Sequence, residues 1–150
     1  MYHNCLLSIA RVGFAGKSPK APGTVGSLVA IVLCPLLFMP LSLPGRLLAL
    51  AFLFWLGVHA ASAAEEMLQK PDASEIVIDE FVGQWLVCLP FAHLGFWSYA
   101  LAFGLFRLFD ITKPWPVSRC EDFPGGLGVM LDDVMAGILA MLCLGLVHLL

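Results

Sequence analysis

Hydrophobic and polar positions along this chain separate into blocks rather than alternating. Four runs carry no charged residue: 21–45, 47–64, 81–106 and 134–150. Charges gather between them in three clusters, at 11–20, 65–80 and 107–133, with Arg46 as the single charge between Lys20 and Glu65. A membrane-crossing helix needs about 20 apolar residues, with a lower bound near 17. Segments 27–43, 47–64 and 134–150 meet that need, with Leu43-Pro44-Gly45-Arg46 as the expected turn between the first two.

The run 81–106 is long for one span and contains Pro90 and Gly95 near its centre. It reads as a hairpin of two helices, each extended outward, toward Ile76 and Ile111, to gain length. That extension carries Asp79, Glu80, Arg107 and Asp110 into helix. The fold expected is therefore all-α: a single-domain, multi-pass membrane bundle of about three full spans plus a central helical hairpin. All three charged clusters then lie on one face, with seven of the eight Lys/Arg residues. By the excess of basic residues on the inner side of membrane proteins, that face is cytoplasmic.

Composition strengthens this picture. The chain of 150 residues is 60% hydrophobic and only 13% charged, against roughly 25% charged for an average soluble domain. A net charge of −3 and few basic residues argue against a nucleic-acid partner. The five cysteines have no C-x-x-C spacing, and the four histidines have no ligand spacing. Neither a disulfide framework nor a zinc site is expected.

The chemistry lies in the clusters. In the first, Lys20 precedes Pro22-Gly23-Thr24-Val25-Gly26-Ser27, and helix is expected from about Thr24, with Thr24 or Ser27 as cap. A helix start with a hydroxyl and a nearby lysine suits an anion, although an ordinary capped helix explains the same residues. The second supplies Asp72, Asp79 and Glu80, with Gly83 one turn beyond Asp79. The third supplies Arg107 and Asp110 on one helical face, then Lys113, where Pro114 ends the helix. After the flexible loop expected at Pro124-Gly125-Gly126-Leu127-Gly128, Asp132 and Asp133 stand at the mouth of the last span, with Gly137 one turn on.

Each piece has a plain structural explanation, such as an Arg107–Asp110 ion pair or an acidic helix start. Together they are harder to dismiss, because ionisable groups in membrane segments are costly and mark functional sites. Two carboxylate pairs beside Arg and Lys suit Mg2+ and a phosphate.

These motifs, Pro22-Gly23-Thr24-x-Gly26-Ser27, Ile76-Val77-Ile78-Asp79-Glu80-x-x-Gly83, Arg107-x-x-Asp110-x-x-Lys113-Pro114 and Asp132-Asp133-x-x-Ala136-Gly137, resemble the phosphatidylglycerophosphatase A family. The resemblance runs in order from about Gly13 to the C-terminus, and Asp72 also looks like a family aspartate. It implies a Mg2+-dependent bacterial enzyme of the cytoplasmic membrane, acting on its cytoplasmic side. Such an enzyme converts phosphatidylglycerophosphate, a membrane lipid, to phosphatidylglycerol and inorganic phosphate. No oligomeric state follows from the sequence.

A C-x5-R nucleophile, a D-x-D-x-T nucleophile and a histidine near the basic motifs are all absent. Attack by a metal-activated water is the mechanism expected. Asp79, Glu80, Asp132 and Asp133 would hold Mg2+, and one of them would serve as base. Arg107, Lys113, Lys20, Thr24 and Ser27 would bind the phosphate, with Asp110 orienting Arg107 or joining the metal's ligands and Asp72 behind them. The alternatives are a phosphatase for another lipid phosphate, such as phosphatidic acid, and a small ion channel or transporter.

Overall fold

The computed structural model describes residues 2–120 and 122–149, and among them every regular element is helical. Helix α1 spans Tyr2–Ala10 and is followed by a short 3-10 turn at Ala15–Lys17. Helix α2 begins at Pro22, two residues earlier than expected. Proline suits the first helical position because its missing N–H would be unpaired there anyway. Ala21, in the left-handed region at φ 45°, supplies the bend into it, and no side chain caps this end. Neither Thr24 nor Ser27 therefore serves as the cap.

Helix α2 runs Pro22–Leu33 and continues as a wide π turn over Cys34–Phe38. Pro35 lies in that turn, where a wider ring accommodates a residue with no N–H to donate. The chain reverses at residues 39–42, and α3 occupies Leu43–Leu68. Leu43-Pro44-Gly45-Arg46, expected as the turn, is instead the first turn of α3. Ser42 caps it by accepting the Gly45 N–H at 3.4 Å, and proline is again tolerated in the first turn.

The run 81–106 is broken over residues 89–95 into α4 (Ile78–Cys88) and α5 (Phe96–Thr112). At 11 residues α4 is far too short to cross a bilayer. Lys113, left-handed at φ 42°, ends α5 just before Pro114. A short α6 (Val117–Cys120) leads to α7 (Gly126–Leu149). Helix α7 starts eight residues before the expected span. Gly126 and Gly128, read as loop, are helical because backbone lies against them: a Cβ on Gly126 would sit 2.3 Å from the Val58 carbonyl oxygen. Asp132 and Asp133 consequently lie well inside the helix rather than at its start.

Among the described residues two helices, α3 and α7, are long and apolar enough to cross a membrane, where three full spans were expected. Only a third of the apolar window of α3 is buried. Leu48, Phe52 and Trp55 face outward from it, as do Leu142 and Leu146 from α7. A helix at the core of a soluble protein hides these side chains; an outward apolar belt suits lipid.

Helix α7 is the hub, packing on α3, α4, α5 and α6, with its most extensive contact to α4. At that crossing two glycines oppose each other. A Cβ on Gly83 would lie 2.7 Å from the Asp133 carbonyl oxygen, and one on Gly137 only 2.6 Å from the Gly83 carbonyl oxygen. Both glycines stand one turn beyond a carboxylate, so this close approach brings Asp79 and Asp133 together. On the other side of α4, Trp85 stacks with Phe38 and donates its indole N–H to the Ala30 carbonyl at 2.8 Å, fixing α2.

Candidate active site

Where α2 and α4 begin and α5 ends, against the second turn of α7, a cavity of about 300 Å³ opens. Its walls come from Pro22 and Gly23 of α2, Asp72 and Ser74 of the preceding loop, and Asp79 and Glu80 of α4. Arg107, Asp110 and Lys113 complete it from α5, and Asp132 and Asp133 from α7. Six carboxylates thus face two cations in one small space.

The two carboxylate pairs are built alike. The Glu80 N–H donates to Asp79 Oδ1 at 3.0 Å, and the Asp133 N–H donates to Asp132 Oδ1 at 3.0 Å. Their outer partners differ. Lys113 Nζ donates to Asp132 Oδ2 at 2.6 Å. Arg107 Nη1 donates to Asp110 Oδ2, lies 3.8 Å from Glu80 Oε1, and reaches Ser27 Oγ at 3.4 Å. Asp79, Glu80 and Asp133 each offer an oxygen within 4.8 Å of the others. Glu80 Oε2 and Asp133 Oδ2 are buried there without any hydrogen-bond partner.

Burial, and then the nearby Asp133, push the Glu80 carboxyl up to about 8. Burial and Glu80 hold the Asp79 carboxyl well above the usual carboxylate range. Burial leads both shifts and neighbouring carboxylates add to them, an excess of negative charge that Arg107 only partly offsets at Glu80. A divalent cation removes that excess, and three hard oxygen donors with two orphaned lone-pair atoms fit Mg2+.

Gly23 borders the same cluster: a Cβ there would fall 2.0 Å from Glu80 Oε1 and 3.3 Å from Arg107 Nη1, so a side chain would displace the Glu80 carboxylate. The first turn of α2, with its unpaired N–H groups, therefore borders the carboxylates and Arg107 directly.

The family model of phosphatidylglycerophosphatase A matches residues 8–148, nearly the whole chain. The chain belongs to the phosphatidylglycerophosphatase A family. Its relatives include the phosphatidylglycerophosphatase A of Escherichia coli K12, 35% identical over 133 residues, covering 86% of this chain and 76% of that protein. The phosphatidylglycerophosphatase A of Haemophilus influenzae is 37% identical over 139 residues, covering 91% of this chain and 85% of that one. A Bacteroides thetaiotaomicron protein, provisionally named a phosphatidylinositol-3-phosphatase, is 42% identical over 130 residues, covering 83% and 81%. No solved structure gives a significant match.

The four motifs by which the sequence resembles this phosphatase family map onto the cavity unequally. Asp72, Asp79, Glu80, Arg107, Asp110, Lys113, Asp132 and Asp133 all line it. Of the four expected metal ligands, Asp79, Glu80 and Asp133 converge, while Asp132 is engaged by Lys113 beside them. Ser27 is buried behind Arg107, donating to the Gly23 carbonyl at 2.8 Å. Lys20 is exposed and Thr24 half-buried, and neither lines the cavity. Sequence reasoning missed Gly23, taken only as a loop residue. The signal available was a Pro-Gly pair at a helix start, which admits close approach by another chain segment.

Proposed function

We propose that this chain is a Mg2+-dependent lipid phosphate monoester hydrolase that converts phosphatidylglycerophosphate to phosphatidylglycerol and inorganic phosphate. The observation that carries the reading is the convergence of Asp79, Glu80 and Asp133, with two buried orphaned oxygens, beside Arg107 and Lys113. The family relationship supplies the lipid.

Asp79, Glu80 and Asp133 would hold Mg2+, which would neutralise the cluster and supply a more acidic, more readily deprotonated water. Arg107 and Lys113 bind the phosphoryl oxygens and offset the charge that builds as the ester bond breaks. Asp110 holds the Arg107 guanidinium in place. Asp132, outside the three-oxygen cluster and fixed by Lys113, would take the proton from the attacking water and pass it to the glycerol oxygen that leaves as the P–O ester bond breaks. Gly23 lets the helix start of α2 approach, so that its N–H groups add to the anion site.

The outward apolar faces of α3 and α7 support a multi-pass protein of the bacterial cytoplasmic membrane. The basic residues on the cavity side support a cytoplasmic active site.

A second reading follows from the Bacteroides relative's name: a phosphate on another lipid headgroup, such as inositol. Phosphate release from phosphatidylglycerophosphate, phosphatidylinositol 3-phosphate and phosphatidic acid, each with Mg2+ and with a chelator, separates these. The proposal expects the first to be preferred and the chelator to abolish release. Preference for either of the other lipids moves the assignment, and ion flux in liposomes without phosphate release replaces it with a channel.

A further inference from the structure

We propose that the apolar groove between α2 and α5 seats an acyl chain of the phospholipid substrate and thereby aligns its phosphate with Arg107. The inference rests on the lipid-phosphatase reading and adds the place where the lipid is held.

The groove encloses about 410 Å³ and is walled by Leu28, Ile31 and Val32 of α2 and by Tyr99, Ala100 and Phe103 of α5. It is almost wholly apolar and open on its outer side, where Leu28 is half exposed and Val32 more than half. What distinguishes it is its place on the same face of α5 as the cavity. On α5, Tyr99, Phe103, Arg107 and Asp110 recur every three or four residues, with Ala100 beside Tyr99, so one helical face runs from the groove into the carboxylate site. On α2 the junction is Ser27, which accepts from Arg107 and stands one turn before Ile31. Phe103 is one turn from Arg107, about 6 Å along the axis. A phosphate held at Arg107 therefore has the groove opening next to its lipid backbone.

A second groove of about 410 Å³ lies among α3, α4 and α7 and provides the contrast. It is lined by Leu131 and Val134, which flank Asp132 and Asp133 in sequence. At about 100° per residue these two point to the opposite side of α7 from the carboxylates, and no residue of α3 lines the cavity. Along α7 this groove therefore turns away from the carboxylates; on α4 Val82 and Leu86 continue the face of Asp79, but the α3 wall, which holds Ala51, has no part in the cavity.

Within a bilayer the chain exchanges one apolar surrounding for another, so the groove contributes orientation more than affinity. Blocking it should harm turnover of the diacyl substrate and spare a substrate that has only the headgroup. The test compares wild type, Ala100→Trp, and Ala51→Trp in the second groove. Each is assayed in micelles with Mg2+ on dioleoyl phosphatidylglycerophosphate and on its deacylated counterpart. Ala100→Trp is expected to lower kcat/KM for the diacyl substrate by about tenfold, leaving the deacylated one within about twofold. Ala51→Trp should leave both within about twofold. Equal losses on both substrates, no loss on either, or the same loss from Ala51→Trp would overturn the inference.

A phosphatidylglycerol with a photoactivatable acyl chain tests the groove without turnover. Crosslinks should concentrate on residues 96–103 and be suppressed in Ala100→Trp; labelling spread evenly over the apolar surface contradicts the assignment. A wild type that is labelled there yet releases no phosphate from any lipid defeats the enzymatic reading and leaves only a lipid site.

Discussion

The two ends of the molecule treat charge in opposite ways. At one end stands Arg46, alone and buried. Its guanidinium donates to the carbonyls of Met39 at 2.6 Å, Leu41 at 3.0 Å, Leu89 at 3.2 Å and Phe91 at 2.5 Å. These carbonyls belong to the reversal after α2 and the connection after α4, so one side chain ties two turns together. At the other end six carboxylates crowd around two cations, and Glu80 Oε2 and Asp133 Oδ2 have no partner at all. A satisfied buried charge stabilises a fold; an unsatisfied cluster is tolerated where function requires it. One end thus holds a charge that ties the fold together, and the other holds a cluster that suits the proposed chemistry.

Substitutions should respect that division. The largest effect is expected from Asp133→Asn, which keeps the shape but removes one of the converging charges. Phosphate release should fall by roughly a thousandfold, while thermal stability in detergent holds or rises, because a repulsive buried charge is gone. A Tm that collapses along with activity would erase the distinction between the ends.

Arg46→Met should do the reverse. Stripping four carbonyls of their donor is expected to cost about 2–4 kcal/mol of stability, read as a lowered unfolding midpoint, with kcat/KM per folded molecule unchanged. Gly83→Ala probes the joint between the two behaviours. Its Cβ would meet the Asp133 carbonyl oxygen at 2.7 Å, forcing α4 from α7, so about 1–3 kcal/mol of stability and roughly tenfold in activity should be lost together. The smallest effect is expected from Lys20→Ala. Exposed and outside the cavity walls, Lys20 should change activity by less than about threefold.

Much of the charged end was legible in the sequence because its signal is local. A carboxylate pair in an apolar run with glycine one turn on appears twice, at Asp79-Glu80 and Asp132-Asp133, and glycines at that spacing predict the close helix crossing that is found. The finer partition was not legible. Lys113, nineteen residues before Asp132, claims that carboxylate and leaves Asp79, Glu80 and Asp133 as the cluster, a choice made by packing between α5 and α7. The start of α7 was misplaced because glycines read as loop when nothing opposes them. Here Val58 and Ser62 of α3 fill the space a side chain would need. Arg46 was legible only as an isolated charge. Its partners are backbone carbonyls, which every residue carries, so no sequence pattern identifies them.

The measurement that bears most directly on the central claim is phosphate release from phosphatidylglycerophosphate by the purified chain, with Mg2+, after chelation, and after Mg2+ is restored. The account predicts hydrolysis with Mg2+, near-complete loss on chelation, recovery on restoration, and no recovery in Asp133→Asn. Hydrolysis that persists undiminished in the chelator, or in Asp133→Asn, would contradict it.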